Sequence, residues 1–320
     1  MAVKTAIIGL GIMGRRMLEN MLLHEGYAPN FLWDPDKSAC ALAADIAPGA
    51  LIMNSAEAAI EAADLVYLAC PPKPRKAYAL AAAEAGKVVF LEKPLGVDVK
   101  ESTELVARLT DLGVPTAVNF TQAAGAALTE VSKAAKAGTL GELLGVDIIV
   151  TYANWPREWQ KAADWLRYKA EGGMTREVIS HFLFFSERIL GPLELVWARP
   201  SYPADKALCE THMLARLETE GGRVVSVMAS VGGAQPDRQE LTVKGSASSR
   251  RVRDFYRNAA SDGRNFLPVG DEPHDPRTAS MRAQLDDLLL LLDGRPNRLA
   301  TLKEALRVQM LVEGMLYRKG

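Results

Sequence analysis

Three groups of residues have side chains of a type and spacing that suit chemistry. The first is Glu92-Lys93-Pro94, directly after the apolar run 88–91. A buried strand there delivers a carboxylate and an ammonium at its C-terminal end, where open α/β sheets bind their ligands. Lys93 is therefore a candidate for catalysis and for contact with both cofactor and substrate, against the plainer reading of a surface Glu-Lys pair. The second group runs from Gly172-Gly173 to His181. If residues 174–190 are helical, Glu177 and His181 stand four apart on one face, so the carboxylate can orient the imidazole and stabilise its charged form. That is acid–base geometry, against the alternative of a histidine merely satisfied within its helix. The third is Gly9-Leu10-Gly11-Ile12-Met13-Gly14, between an apolar strand at 3–8 and a helix running to about residue 23. In that context Gly9 makes the tight turn, Gly11 lets the backbone approach a pyrophosphate and Gly14 allows close helix–strand packing. The helix start, with Ile12 and Met13, offers free N–H groups to the anion.

These groups need elements to hold them. A strand at 30–33 ends at Asp34, twenty positions beyond Gly14. An acidic residue there can accept hydrogen bonds from a ribose and repel a 2′-phosphate, which favours NAD; Lys37 keeps NADP possible, and Asp36 is the alternative carboxylate. Ser55 caps a short helix, and a strand at 65–69 leads into Cys70-Pro71-Pro72. The prolines either shape the loop beside the nicotinamide, making Pro71 a cofactor contact, or simply break the strand. A helix at 75–85, the strand at 88–91, a helix at 100–112 and a strand at 116–119 complete an alternating β/α series, which implies a doubly wound parallel sheet of the Rossmann type. The second half reads as α+β. A helix at 123–137 precedes strands at 143–152, 193–199, 208–218, 224–230 and 238–244, whose short connections suit a large, mostly antiparallel sheet. An irregular excursion at 250–277 and helices at 278–292 and 301–317 close the chain.

A length of 320 residues suits two domains, divided as 1–121 for the dinucleotide and 122–320 for the substrate. The 48% hydrophobic and 24% charged content is that of a globular protein in water. With a formal net charge of −1 and no lysine/arginine block, there is no electrostatic footprint for nucleic acid or an anionic membrane. Cys40, Cys70 and Cys209 lie far apart without metal-ligand spacing, which argues for the reducing cytoplasm and against a metal site. The chain enters its first strand without a basic and apolar leader, so nothing suggests secretion, and the leucine run 288–292 is too short to span a bilayer.

The glycine fingerprint, the Pro71 loop, the run from Glu84 through Gly96 and the later glycine pair with its histidine together resemble the glucose-fructose oxidoreductase, inositol dehydrogenase and MocA (Gfo/Idh/MocA) family, over nearly the whole chain. The resemblance implies a two-domain NAD(P)-dependent oxidoreductase. Its second domain would carry the substrate site and self-associate through its sheet, as a homodimer or homotetramer. Glu92 and Lys93 fall on the family's cofactor-side motif and His181 on its general base. The chain departs from the pattern at Glu171 and Ile179, where glycines are usual, at Glu177 in place of an aspartate, and at Phe184 in place of a frequent second aspartate.

Charge sets the expected mechanism. Removing a hydride from a carbinol requires the hydroxyl proton to leave too, so His181 takes the proton while Lys93 stabilises the developing alkoxide. Trp155, Trp159 and Trp165 interleave with Arg157, Lys161, Arg167 and Lys169. Indoles suit a sugar face and the basic groups suit an anionic substituent, which makes Trp155, Arg157 and Trp165 substrate candidates. Packing with a solvated basic rim is the alternative. Arg176 either binds substrate or pairs with an acid. The expected activity is hydride transfer on a sugar, polyol or sugar-derived alcohol. A dehydrogenase of a cyclic diol or imine, and a redox-assisted glycosidase or lyase without net redox change, are the alternatives.

Overall fold

The computed structural model describes residues 2–270 and 273–317. Asp271 and Glu272, within the expected excursion at 250–277, lie outside the described residues, as do Met1 and residues 318–320 at the end of the expected second domain.

Two compact units are present. The first comprises Met1–Ala123 and Met281–Leu306. Its strands β1 (Val3–Ile8), β2 (Tyr27–Trp33), β3 (Leu51–Ile52), β4 (Leu65–Leu68), β5 (Val88–Glu92) and β6 (Thr116–Asn119) form a parallel sheet in the order β3-β2-β1-β4-β5-β6. The order reverses between β1 and β4, the switch point beyond whose strand ends such sheets hold ligands. Helices α1 (Ile12–Leu22), α2 (Lys37–Ile46), α3 (Ala56–Ala62), α4 (Pro72–Glu84) and α5 (Val99–Leu112) connect the strands. Asp36, Ser55 and Asp98 cap α2, α3 and α5 by accepting the N–H of Ser38, Ala58 and Glu101, each worth about 1 kcal/mol. The helix expected from residue 75 starts at Pro72, because a first-turn proline gives up an N–H that no helical carbonyl needed.

A single cut after residue 121 would place Met281–Leu306 in the second domain, but this segment returns to the first unit. Its apolar face decides the matter. Leu285 and Leu288 are buried in the same core as Ile7, Tyr27 and Phe90, Tyr27 donates its hydroxyl to the Leu285 carbonyl at 2.6 Å, and Val118 bridges to Ala300.

The second unit, Ala124–Ser280 with Arg307–Gly320, is built on eight strands: β7 (Leu143–Tyr152), β8 (Leu193–Ser201), β9 (His212–Thr219), β10 (Val224–Val231), β11 (Arg238–Gly245), β12 (Ser249–Arg253), β13 (Arg257–Ser261) and β14 (Leu267–Pro268). They lie in the order β14-β13-β12-β11-β7-β10-β9-β8. Neighbours are antiparallel except β10 and β7. Period-2 alternation puts Val146, Ile148, Val150 and Tyr152 on a buried face with Val225, Val227, Leu241 and Val243. Helices α6 (Ala126–Lys136) and α7 (Ser180–Leu190) pack together, and α7 lies against β7 with Phe182, Leu183, Phe184 and Phe185 buried.

Two sequence expectations need correction here. The stretch 250–277 is not an irregular excursion, since β12, β13 and β14 within it extend the sheet. The β12–β13 turn uses Asp254 and Phe255 at φ 51° and 69°, left-handed positions where glycine or asparagine is the usual signal. The strand expected at 208–218 starts at His212. Among the described residues no helix is long and apolar enough to cross a membrane.

Candidate active site

In the first unit the glycine loop joins β1 to α1. Two of its glycines are required by the chain itself. Gly9 has φ +95°, and a Cβ there would sit 2.4 Å from the Cys70 backbone nitrogen; a Cβ on Gly14 would sit 1.9 Å from the Gly9 carbonyl oxygen. Gly11 is different. Its φ is −66°, and a Cβ there would meet nothing within 4 Å. Neither backbone nor packing asks for glycine at this position, so its bareness keeps a cradle open in front of α1. No side chain caps α1 among the described residues, and the first N–H groups, at Ile12 and Met13, are left for an anion.

Asp34, at the end of β2, accepts the Leu10 N–H at 2.6 Å and the Asp36 N–H at 2.8 Å. It therefore fixes the glycine loop, and each carboxylate oxygen keeps a lone pair for a ribose hydroxyl. Asp36 is occupied differently: it caps α2 and accepts from both the amide and the hydroxyl of Ser38, which hold its carboxyl below the usual range. Arg15, which sequence reasoning did not single out, donates to the Leu10 carbonyl at 2.5 Å.

The end of β5 is a cluster of locked polar groups. Glu92 is buried, and its Oε1 accepts from the Tyr67 hydroxyl at 2.5 Å and the Asn119 amide at 2.7 Å. Its Oε2 accepts the Lys93 N–H at 3.2 Å. Gln284, from the returning segment, donates to Asn119 at 2.9 Å. Burial raises the Glu92 carboxyl above its ordinary range, against the lowering effects of the Tyr67 hydrogen bond and the charges of Lys93 and Arg75. Arg75 of α4 is buried and donates to the carbonyls of Glu92, Pro94 and Cys70, tying the loop before Pro71 to the strand end. Pro71 is the N-cap of α4, and Lys93 joins Pro94 by a cis peptide bond. Lys93 is thus held at a fixed strand end. Nothing in the sequence flagged Tyr67, Arg75, Asn119 or Gln284, which look like ordinary strand and helix residues.

In the second unit the stretch expected to be helical begins with a wide π-type turn, Thr175–Ile179, before α7. Such turns recur at functional sites. Gly173, at φ +105°, lies so close to the buried Glu210 carboxylate that a Cβ would come within 2.4 Å of it. Glu210 accepts the Thr175 N–H at 2.8 Å and so fixes the start of the turn. His181 is buried at the beginning of α7. The Phe255 ring, carried on the β12–β13 turn, meets it edge-on with centroids 5.3 Å apart and stacks on Phe182 at 5.0 Å. Phe255 had no sequence signal, because the turn that presents it lacks glycine. Glu177 accepts a hydrogen bond from the Gln160 amide at 3.1 Å.

Arg176 is the clear correction among the substrate candidates. It is buried and pairs with Glu313 through Nε at 2.7 Å and Nη2 at 2.8 Å. Nη1 donates to the carbonyls of Lys169 and Gly172, and Nη2 also donates to the Tyr317 hydroxyl. All five N–H donors are used, so none remains for a substrate.

Of the tryptophan cluster, Trp155 packs 5.5 Å from Tyr152 and donates its indole N–H to the Leu166 carbonyl. Trp159 lies at the short turn Glu158–Gln160, with the guanidinium of Arg157 4.7 Å and that of Arg277 5.4 Å from its ring. Trp165, half-buried on the turn Asp164–Arg167, makes no ring contact with this group among the described residues. Arg157 is brought together with Trp155 and Trp159; Trp165 is not.

Comparison with known proteins agrees with this architecture. The Gfo/Idh/MocA model described as "Oxidoreductase family, NAD-binding Rossmann fold" matches residues 3–120, and that of the "GFO/IDH/MocA C-terminal domain" matches residues 128–250. The chain belongs to the Gfo/Idh/MocA oxidoreductase family, and its first unit is an NAD-binding Rossmann domain. An inositol 2-dehydrogenase of Corynebacterium glutamicum is 29% identical over 147 residues, 45% of this chain and 44% of that protein. The match thus spans less than half the length of this curated relative. Among solved structures, the WlbA dehydrogenase of Bordetella pertussis in complex with NADH and UDP-GlcNAcA superposes with a TM-score of 0.81 at 21% identity, covering 99% of this chain and 95% of that one. An oxidoreductase of Agrobacterium radiobacter in complex with NAD+, L-tartaric acid and magnesium gives 0.85 at 16% identity, covering 98% and 95%. At such identities these likenesses speak for the fold.

Proposed function

We propose that this chain is an NAD-dependent dehydrogenase acting on a secondary alcohol, or in reverse a ketone, of a sugar, polyol or sugar-derived compound. The observation that carries the reading is the end of β5. There Tyr67, Asn119 and Arg75 hold Glu92 and the strand end that presents Lys93, in the same sheet whose glycine loop leaves open space at Gly11. Bound NAD would supply the hydride acceptor; the cradle at Gly11, the N–H groups of Ile12 and Met13, and Asp34 would hold it, with Pro71 and Glu92 shaping the nicotinamide end. Asp34, at the end of β2, would accept from ribose hydroxyls and repel a 2′-phosphate, which favours NAD over NADP. His181 takes the hydroxyl proton, Glu177 orients the imidazole, and Lys93 steadies charge on the substrate oxygen. The inositol 2-dehydrogenase relative and neighbours solved with NAD+ or NADH support the substrate class and the cofactor.

Lys93→Ala and His181→Ala, each with NAD binding retained, should lower NADH formation by about 10²- to 10⁴-fold. Unchanged turnover in either variant removes that residue from the mechanism. We also propose that the enzyme works in the cytoplasm, where its three buried free thiols stay reduced; a disulfide between any two of them in protein isolated under thiol-blocking conditions would refute that. It self-associates through the outer face of the eight-stranded sheet, where Trp197, Leu214 and Met228 stand 41–48% exposed; a monomeric mass by light scattering would refute this.

A further inference from the structure

The basic residues interleaved with the tryptophans separate once their partners are assigned. Lys161 pairs with Glu158 at 2.6 Å and Arg167 with Asp164 at 3.2 Å, on the surface in both cases. Lys169 sets its ammonium 4.2 Å from the Tyr202 ring and 5.3 Å from the Tyr317 ring. Arg157 is the exception. It is only 8% exposed, and among the described residues its hydrogen-bond partners are two neutral amides: Nε donates to Gln160 Oε1 at 2.8 Å and Nη1 to Gln239 Oε1 at 3.3 Å. Among the described residues no carboxylate lies within ion-pair distance of it. Its guanidinium is ringed by Trp159, Tyr152 and Trp155, at 4.7, 5.3 and 5.9 Å.

A guanidinium cannot shed its charge, and a buried cation without a counter-ion is costly. Amides and ring faces aim the fork without neutralising it. Gln160 also keeps the neighbouring charges apart, its carbonyl facing Arg157 and its amide donating to Glu177 at 3.1 Å. Glu177 is therefore not spent on Arg157, and the cation stands one hydrogen-bonded side chain away from the Glu177–His181 stretch. Gln239 is held in turn by the Tyr152 hydroxyl at 2.9 Å.

We propose that Arg157 receives a carboxylate of the substrate, so that this enzyme acts on a sugar acid or related hydroxy acid in preference to a neutral sugar or polyol. This rests on the dehydrogenase reading above. A single guanidinium flanked by neutral amides matches a monoanion; Arg277, on the same Trp159 ring, adds to the positive potential.

The test compares D-glucuronate and D-galacturonate with glucose and galactose, by quenching of tryptophan fluorescence and, with NAD, by NADH formation. Wild type, Arg157→Met and Gln239→Glu are used, the last placing a carboxylate where Arg157 already bonds while keeping its packing. The acids should bind wild type at least about tenfold more tightly than the neutral sugars, and both variants should lose about 10- to 100-fold of acid affinity, a clearly larger loss than for the neutral sugars. Equal binding of acids and neutral sugars by wild type, or acid binding indifferent to both substitutions, or no Arg157-dependent binding of either acid, overturns the proposal. Arg157-dependent acid binding without NADH formation keeps the carboxylate site and counts against the dehydrogenase reading. NADH formed from neutral sugars, with acids silent, does the reverse.

Discussion

Two buried glutamates, one in each unit, are treated in opposite ways. Glu313 in the second unit meets Arg176 through two parallel hydrogen bonds of 2.7 and 2.8 Å, and the remaining donors of that arginine go to backbone carbonyls and Tyr317. Glu92 in the first unit is as deeply buried, yet among the described residues its carboxylate has no ion pair. It accepts from a phenol, an amide and one backbone N–H, while Arg75 nearby donates to the Glu92 backbone carbonyl instead. The first arrangement is chemically closed: charge is matched, every donor is used, and the pair fastens the segment before α7 to the C-terminal helix Leu302–Tyr317. The second leaves charge incompletely matched beside Lys93. Arg157, buried among amides and rings, is the cationic counterpart of Glu92. Full compensation is the pattern of a fastener, and partial compensation is the pattern that clusters at functional sites.

Breaking the fastener should give the largest effect. Glu313→Ala leaves the Arg176 guanidinium buried and unpaired, which should lower unfolding stability by about 3–5 kcal/mol in urea titrations. Replacing both partners by apolar residues of similar size, as in Arg176→Met with Glu313→Leu, should recover most of that loss. A loss below about 1 kcal/mol for Glu313→Ala would mean that the pair does not hold the segment and that the contrast with Glu92 is false.

The same contrast explains what the sequence could and could not show. The glycine fingerprint, the β/α alternation and Glu92-Lys93-Pro94 are local patterns, so the parallel sheet and the Lys93 strand end were legible. Partner choice was not. Arg176 is separated from Glu313 by more than a hundred residues, and Arg157 from Gln239 by 82; nothing local tells a saturated guanidinium from an available one. The hairpin that brings Phe255 to His181 was hidden for another reason, because Asp254 and Phe255 occupy left-handed positions without glycine. The return of Met281–Leu306 to the first unit rests on one apolar helix face, and periodicity reveals such a face without naming what it packs against.

A smaller effect tests the other side of the comparison. Burial raises the Glu92 carboxyl above its ordinary range, so between the ordinary and the raised value the folded chain holds a proton that the unfolded chain has released. Stability should therefore fall as pH rises through that window, and stay level below and above it where both states agree. One proton bounds the slope at about 1.4 kcal/mol per pH unit. Glu92→Gln removes the titration while keeping an acceptor for Tyr67 and Asn119, so the stability of wild type relative to this variant should decline as pH rises from the ordinary glutamate range. Urea titrations of both proteins across pH 4 to 8 measure this difference. If it is flat, the Tyr67 hydrogen bond and the charges of Lys93 and Arg75 compensate burial as fully as Arg176 does for Glu313. Glu92 would then be a second fastener, and of the two charged side chains at the end of β5 only Lys93 would remain in the proposed site.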